Sequence, residues 1–224
     1  MLDVIQLSCE RDDRLLFSDL SFSLSAGEIL QIEGRNGAGK TTLLRMLAGL
    51  SAGYSGEILW ESKPLKKAYA DFRLNCYFLG HHPGLKLELT PIENLNWRLQ
   101  ITNNQPDVAR LQAALDKVQL SGYEHIPCSH LSAGQLRRVA LAGLLASQAR
   151  LWILDEPFTA IDVDGVAWLE TLLYEHIDRG GMVLVTSHQA LSNVNGQLRK
   201  LRLEHFSQGV SPEMPKELSG ESHG

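Results

Sequence analysis

The sequence predicts an α/β protein: a parallel sheet core, an antiparallel β portion beside it and a helical subdomain inserted into it. Two observations lead there. Short apolar runs that stop abruptly at polar or glycine residues alternate with stretches of helical period, the pattern of parallel strands buried on both faces. Three of those runs also end in groups suited to phosphate chemistry. Residues 28–33 (EILQIE) lead into a glycine loop, 151–154 (LWIL) into a carboxylate pair, and 182–185 (MVLV) into Thr186, Ser187 and His188. Ligands of open α/β sheets bind outside the carboxyl ends of the strands, so these endings share one edge.

Taken in order, residues 2–7 and 20–24 have the composition of strands and 56–60 (GEILW) that of another, which supplies the antiparallel portion. A helix is expected from Gly39 to about Leu50. From about Pro83 to Ala149 helical patterns dominate: a helix opened by Pro91 (PIENLNWRLQ), one over 107–118, and one after Ser132. The last carries apolar or small residues at 136, 139, 140, 143 and 144, the stripe of a core-facing helix. This is the expected helical subdomain, about residues 83–149. Residues 207–224 are poor in large apolar side chains and rich in Ser, Gly, Pro and Glu, so a disordered tail is expected there.

At 224 residues the chain suits one domain with a subdomain, residues 2–205. Hydrophobic content of 44% and charged content of 21% are ordinary, and a net charge of -5 gives no general reason to expect nucleic-acid binding. Cys9, Cys76 and Cys128 form no CxxC pair, so they read as packing residues of a reducing compartment rather than as a zinc site or disulfide framework. The N-terminus lacks a basic segment followed by an apolar one, and no apolar run is long enough to span a bilayer; a cytoplasmic protein is expected.

Gly34, Arg35, Asn36, Gly37, Ala38, Gly39, Lys40 and Thr41 fit G-x-x-x-x-G-K-[ST] between a buried strand and a helix; the match resembles the P-loop NTPases, which implies a RecA-like parallel core. Glycines let the backbone wrap a phosphate, and the helix N-terminus adds positive partial charge. Lys40 is expected to reach the β- and γ-phosphates and Thr41 to ligate Mg²⁺. Asp155 suits the strand-end carboxylate that holds Mg²⁺. Adjacent Glu156 suits the one that orients or deprotonates water, because neighbouring carboxylates repel unless a cation is shared. His188, after a third strand on that edge, is placed to bond the γ-phosphate and position water.

Residues 131–140 (LSAGQLRRVA) admit two readings. Ser132 and Gln135 form a capping box with Leu131 and Leu136 at staple positions; the same open helix N-terminus also suits a phosphate.

Together these residues resemble the nucleotide-binding domain of ABC transporters over about residues 2–205. GRNGAGKTT (34–42) looks like Walker A and thereby includes Thr42. LSAGQ (Leu131, Ser132, Ala133, Gly134, Gln135) looks like the signature, LWILDEP like Walker B, Ala160-Ile161-Asp162 like the D-loop and Thr186-Ser187-His188 like the switch-histidine region. The resemblance implies a head-to-tail homodimer in which each ATP, with Mg²⁺, lies between one chain's Walker A and the other's signature helix. Ala133 stands where the family usually has glycine, which requires a negative φ there. His81 falls at the position of a usual glutamine and is expected to contact the metal or its water, with a pH-sensitive coupling. Arg11 falls where an aromatic residue usually stacks on adenine.

FLGHHPGLK (78–86), LTPIENL, LSAGQLRRVALA and LDEPFTAIDVDGV, with Phe158 and Ile161, look most like the ATP-binding subunits of the haem exporter of bacterial cytochrome c maturation. That resemblance implies separate integral membrane permease subunits, a peripheral place on the cytoplasmic face of the inner membrane, and hydrolysis coupled to haem export or haem-chaperone release. His81, His82, His125, His130 and Cys128 form no haem-attachment motif, so no haem site is expected on this chain. Three other readings stay open: a soluble ABC ATPase of iron–sulfur assembly type, the ATPase of an exporter for another substrate, and a P-loop kinase or nucleotide-sensing adaptor.

Overall fold

A computed structural model describes residues 1–100, 107–159, 161–194 and 196–206. In chain order the elements are β1 (Leu2–Arg11), β2 (Arg14–Leu24), β3 (Glu28–Glu33), α1 (Lys40–Leu47), β4 (Ser55–Trp60), β5 (Lys63–Pro64), α2 (Leu65–Asn75), β6 (Cys76–Leu79), α3 (Pro91–Gln100), α4 (Val108–Lys117), α5 (Ala133–Ala146), β7 (Leu151–Asp155), α6 (Val163–Asp178), β8 (Met182–Thr186) and β9 (Leu198–Arg202). The expected tail, 207–224, and Ala160 of the D-loop triplet lie outside the described residues.

Strands β6, β7, β8, β3 and β9 form a parallel sheet in that order, and each inner strand is apolar on both faces. Trp152, Leu154, Val183, Val185 and Ile29 face a core shared with α3–α6; Leu151, Ile153, Met182, Leu184, Leu30 and Ile32 face a second core shared with α1 and the antiparallel sheet. The period of two explains why these strands read as continuous apolar runs rather than as alternating ones. Register aligns Leu79 with Leu154, Asp155 with Thr186, and Thr186 with Ile32. The four strand ends are therefore level, and the loops that leave them emerge at the same edge.

The antiparallel sheet has the order β2-β1-β4-β5. Asp12 and Asp13, at φ 53 and 57, turn β1 into β2 through left-handed conformations, as the two-residue turns suited to twisted hairpins require. That turn sets Arg11 opposite Arg14 at the hairpin tip.

Some features differ from the sequence expectation. β6 is only four residues and β9 (LRKLR) is a charged edge strand, so neither carries the apolar run that marks the inner strands. The predicted stripe on α5 is too narrow: residues 137, 139–144 and 146 are all buried, because the helix is packed against the sheet on one side and against α3 and α4 on the other. Gly143 permits this approach, since a Cβ there would lie 1.9 Å from the Tyr77 hydroxyl.

Candidate nucleotide site

The loop after β3 wraps into α1 through Gly39, which is left-handed at φ 97; a side chain there would be strained and would meet Leu16 at 3.2 Å. No side chain caps α1 and its first turn holds no acidic residue, so its first amides keep their affinity for an anion. Lys40 is 9% exposed and its Nζ donates to the Gly34 carbonyl at 2.6 Å, curled over the loop.

Next to it two hydroxyls tie the carboxyl end of β7 to β8 and to α1. Thr41 Oγ1 donates to Asp155 Oδ2 at 2.8 Å, and Thr186 Oγ1 donates to Asp155 Oδ1 at 2.8 Å. The same Thr186 oxygen accepts from the Glu156 amide at 2.9 Å. Glu156 adopts φ 49, a left-handed conformation costing about 1–3 kcal/mol in a residue with a side chain. It is held there from both ends, because its carbonyl accepts from Arg137 Nη2 at 2.6 Å. Its Oε1 is buried without a hydrogen bond; His188 Nε2 lies 3.5 Å away, too far for a well-formed one.

These groups line a cavity of about 740 Å³. Arg35, Asn36, Gly37, Gly39, Lys40, Thr41 and Thr42 form its floor, Asp155, Glu156, His81 and His188 one wall, and Arg11, Arg14 and Leu16 another. Gly34 and Ala38 line neighbouring grooves. The arrangement can bind a polyphosphate, and the Thr41 hydroxyl beside the Asp155 carboxylate offers the hard oxygen ligands that suit Mg²⁺, which is commonly held by one or two carboxylates and substrate phosphates.

None of residues 131–135 lines this cavity among the described residues. Ser132 caps α5 in a full capping box: Gln135 N donates to Ser132 Oγ at 3.2 Å, and Ser132 N donates to Gln135 Oε1 at 2.9 Å. Ala133 is the first helical residue and is not among the left-handed positions, so its methyl is accommodated. Leu131 and Leu136 belong to the same apolar cluster. Asp162 caps α6 by accepting from Gly165 N at 2.9 Å and pairs with Arg138 of α5 at 3.2 Å.

Sequence reasoning missed several residues of this edge. Arg137, 3% exposed, lies off the apolar stripe and gave no signal. Burial pushes its pKa down, while Asp155 and Glu156 raise it. Thr186 was visible as a strand end and as part of the switch-histidine resemblance, with no role of its own. Gln31 had a signal, being polar inside a doubly buried strand; its Nε2 donates to the Gln189 carbonyl at 2.9 Å and steadies the segment that carries His188.

The ABC transporter family model matches residues 17–159. The chain belongs to the ABC transporter family. The cassette is 54% identical, over 84% of its length and 87% of the relative's, to the cytochrome c biogenesis ATP-binding export protein CcmA of Saccharophagus degradans. Among solved structures it is similar to a putative ABC transporter ATP-binding protein from Pyrococcus furiosus, with a TM-score of 0.80 at 24% identity over 92% of this chain and 99% of that one. The dimeric ABC transporter cassette MJ0796 shares its fold, with a TM-score of 0.78 at 20% identity over 91% and 95% of the two chains.

Proposed function

We infer that this cassette is the ATP-hydrolysing subunit of an ABC exporter serving cytochrome c biogenesis, and that two copies close head to tail around two ATP molecules. The observation that carries the catalytic part is the linked set Thr41–Asp155–Thr186–Glu156, with Glu156 lining the cavity beside Lys40 and His188 and its Oε1 buried without a hydrogen bond. The place in cytochrome c biogenesis is supported by the likeness to CcmA, which is named as a cytochrome c biogenesis ATP-binding export protein. Haem, or release of a haem-loaded chaperone, is the export step we assign.

Lys40 and the first amides of α1 bind the triphosphate, and the adenine lies toward Arg11. Thr41 and Asp155, with His81 lining the same cavity, would hold Mg²⁺, which would neutralise phosphate charge. Glu156 orients a water and takes its proton as the oxygen attacks the γ-phosphorus in line; the bond to the β-phosphate oxygen breaks and ADP leaves. His188 Nε2 donates to the γ-phosphate or the attacking water. Ser132, Ala133 and Gly134 serve the phosphate held by the partner's Lys40, which accounts for their distance from their own chain's cavity. Asp162, tied to Arg138, reaches the dimer seam. Among the described residues no helix is long and apolar enough to cross a membrane. We assign the membrane path to separate permease subunits, with the cassette docked at the cytoplasmic face of the inner membrane, on the likeness to CcmA.

Glu156→Gln is expected to abolish hydrolysis while yielding an ATP-stabilised dimer, read by light scattering after size-exclusion chromatography; a variant that stays monomeric at saturating ATP contradicts the reading. Co-expression with neighbouring gene products is expected to co-purify a polytopic membrane protein. Recovery only in the soluble fraction counts against the export role.

A further inference from the structure

The guanidinium of Arg137 sits on the edge where the site is built, yet none of its hydrogen bonds runs to a side chain. It donates only to backbone carbonyls: from Nη1 to Gly80 at 3.1 Å and His81 at 3.4 Å, from Nη2 to Asp155 at 3.4 Å and Glu156 at 2.6 Å, and from Nε to Pro157 at 3.3 Å. All five donors of a rigid planar fork are thereby used, in a residue 3% exposed. The carbonyls belong to two different strand ends, the one after β6 that carries His81 and the one after β7 that carries Glu156. The donor belongs to a third element, α5, whose first turn is capped by Ser132. Arg137 lies five positions after Ser132, about 7.5 Å along a helix axis. Because the fork is planar and saturated, a shift or rotation of α5 must either carry these carbonyls with it or break their bonds. The Glu156 carbonyl is the most tightly held of the five, in a residue already in a left-handed conformation.

We propose that Arg137 is a positioning residue that ties the signature end of α5 to Glu156 and His81 of the same chain. Resting on the head-to-tail reading above, this means that a phosphate docked at Ser132, which belongs to one ATP site, sets the water-orienting carboxylate of the other. The two sites of the dimer are then coupled through one arginine in each chain.

The test is Arg137→Lys in the full-length protein. Lysine keeps a buried cation but replaces the fork with a single three-donor head, which cannot hold both strand ends. Small displacements of a positioned group cost up to about a hundredfold in rate, so kcat is expected to fall at least about tenfold. KM for ATP and the affinity for a fluorescent ATP analogue are expected to stay within about threefold of wild type, and any cooperativity of wild-type hydrolysis is expected to vanish. An unchanged kcat, or kcat and nucleotide affinity falling together, overturns the proposal. Hydrogen–deuterium exchange supplies a measurement that needs no change at Arg137. In a Glu156→Gln chain, adding ATP is expected to slow exchange at 80–82 and 156–158 together with 132–136; protection confined to 132–136 overturns the coupling. Failure of the dimer itself is separately visible, since 132–136 would then show no protection and the Glu156→Gln chain would not pair with ATP.

Discussion

Thr186→Val removes one hydroxyl from a fully buried side chain of nearly the same shape. That oxygen both donates to Asp155 Oδ1 at 2.8 Å and accepts from Glu156 N at 2.9 Å. Without it the Glu156 amide is buried with no acceptor, which costs about 1–3 kcal/mol, and a hydrogen bond to a charged carboxylate is lost, a contribution of about 1.5–3 kcal/mol. The two effects share one atom and overlap, so a loss of about 3 kcal/mol is expected. In a domain of this size that corresponds to roughly 6–12 °C in Tm. Thr186→Ser keeps the hydroxyl and loses one buried methyl, about 1 kcal/mol. Urea denaturation of the three proteins without nucleotide measures stability, and steady-state phosphate release measures kcat. We expect Val to be worse than Ser by about 2 kcal/mol and to slow hydrolysis at least about tenfold, since Asp155 and Glu156 lose their common anchor. Equal losses in the two variants, or a full rate in the valine variant, would refute the reasoning that Thr186 locks the Asp155 carboxylate and the Glu156 backbone together.

Gly143→Ala places a methyl 1.9 Å from the Tyr77 hydroxyl, which donates to the Ala140 carbonyl at 3.3 Å. Overpacking of this kind costs about 1–3 kcal/mol even after the gain in helix propensity, and adding Tyr77→Phe should recover part of it; thermal melts of the single and double variants decide. His176 stacks on Trp152 with ring centroids 3.7 Å apart, and burial pushes its pKa down to about 4 from 6.5. The folded state therefore holds the neutral ring: its stabilising effect is complete above about pH 6.5, declines as pH falls and levels off below about 4. Allowing for its partial exposure, about 1–2 kcal/mol is expected to disappear across that window, and His176→Phe should flatten the dependence. An unaltered slope in that variant would show that other groups govern acid stability.

How far the sequence leads is decided by where the physics is local. A doubly buried strand followed by a glycine loop announces itself, because apolar runs and turn chemistry are written in consecutive residues; β3, β7 and β8 and the Lys40 loop were legible for that reason. The capping box at Ser132 is equally local, and its two hydrogen bonds are formed by residues three apart. Arg137 is the contrary case: its five partners lie 18 to 57 positions away along the chain, and no spacing rule connects them. Thr186 likewise matters through its register opposite Asp155, which is fixed only when β7 and β8 pair. Edge strand β9 escaped because a charged strand has no pattern to distinguish it from a loop.

The central claim is that each ATP site is assembled from two chains, and pairing between differently tagged chains tests it most directly. In a Glu156→Gln background, Lys40→Ala is expected to remove ATP binding from a chain and to leave its signature helix intact. Ser132→Arg is expected to block the signature and to leave that chain's own ATP binding largely unchanged. Each chain alone is expected to remain monomeric with ATP. Mixed, they are expected to form an ATP-dependent heterodimer with one complete site, captured through either tag. No ATP-dependent capture from the mixture, or pairing by the Ser132→Arg chain with itself, would contradict the account.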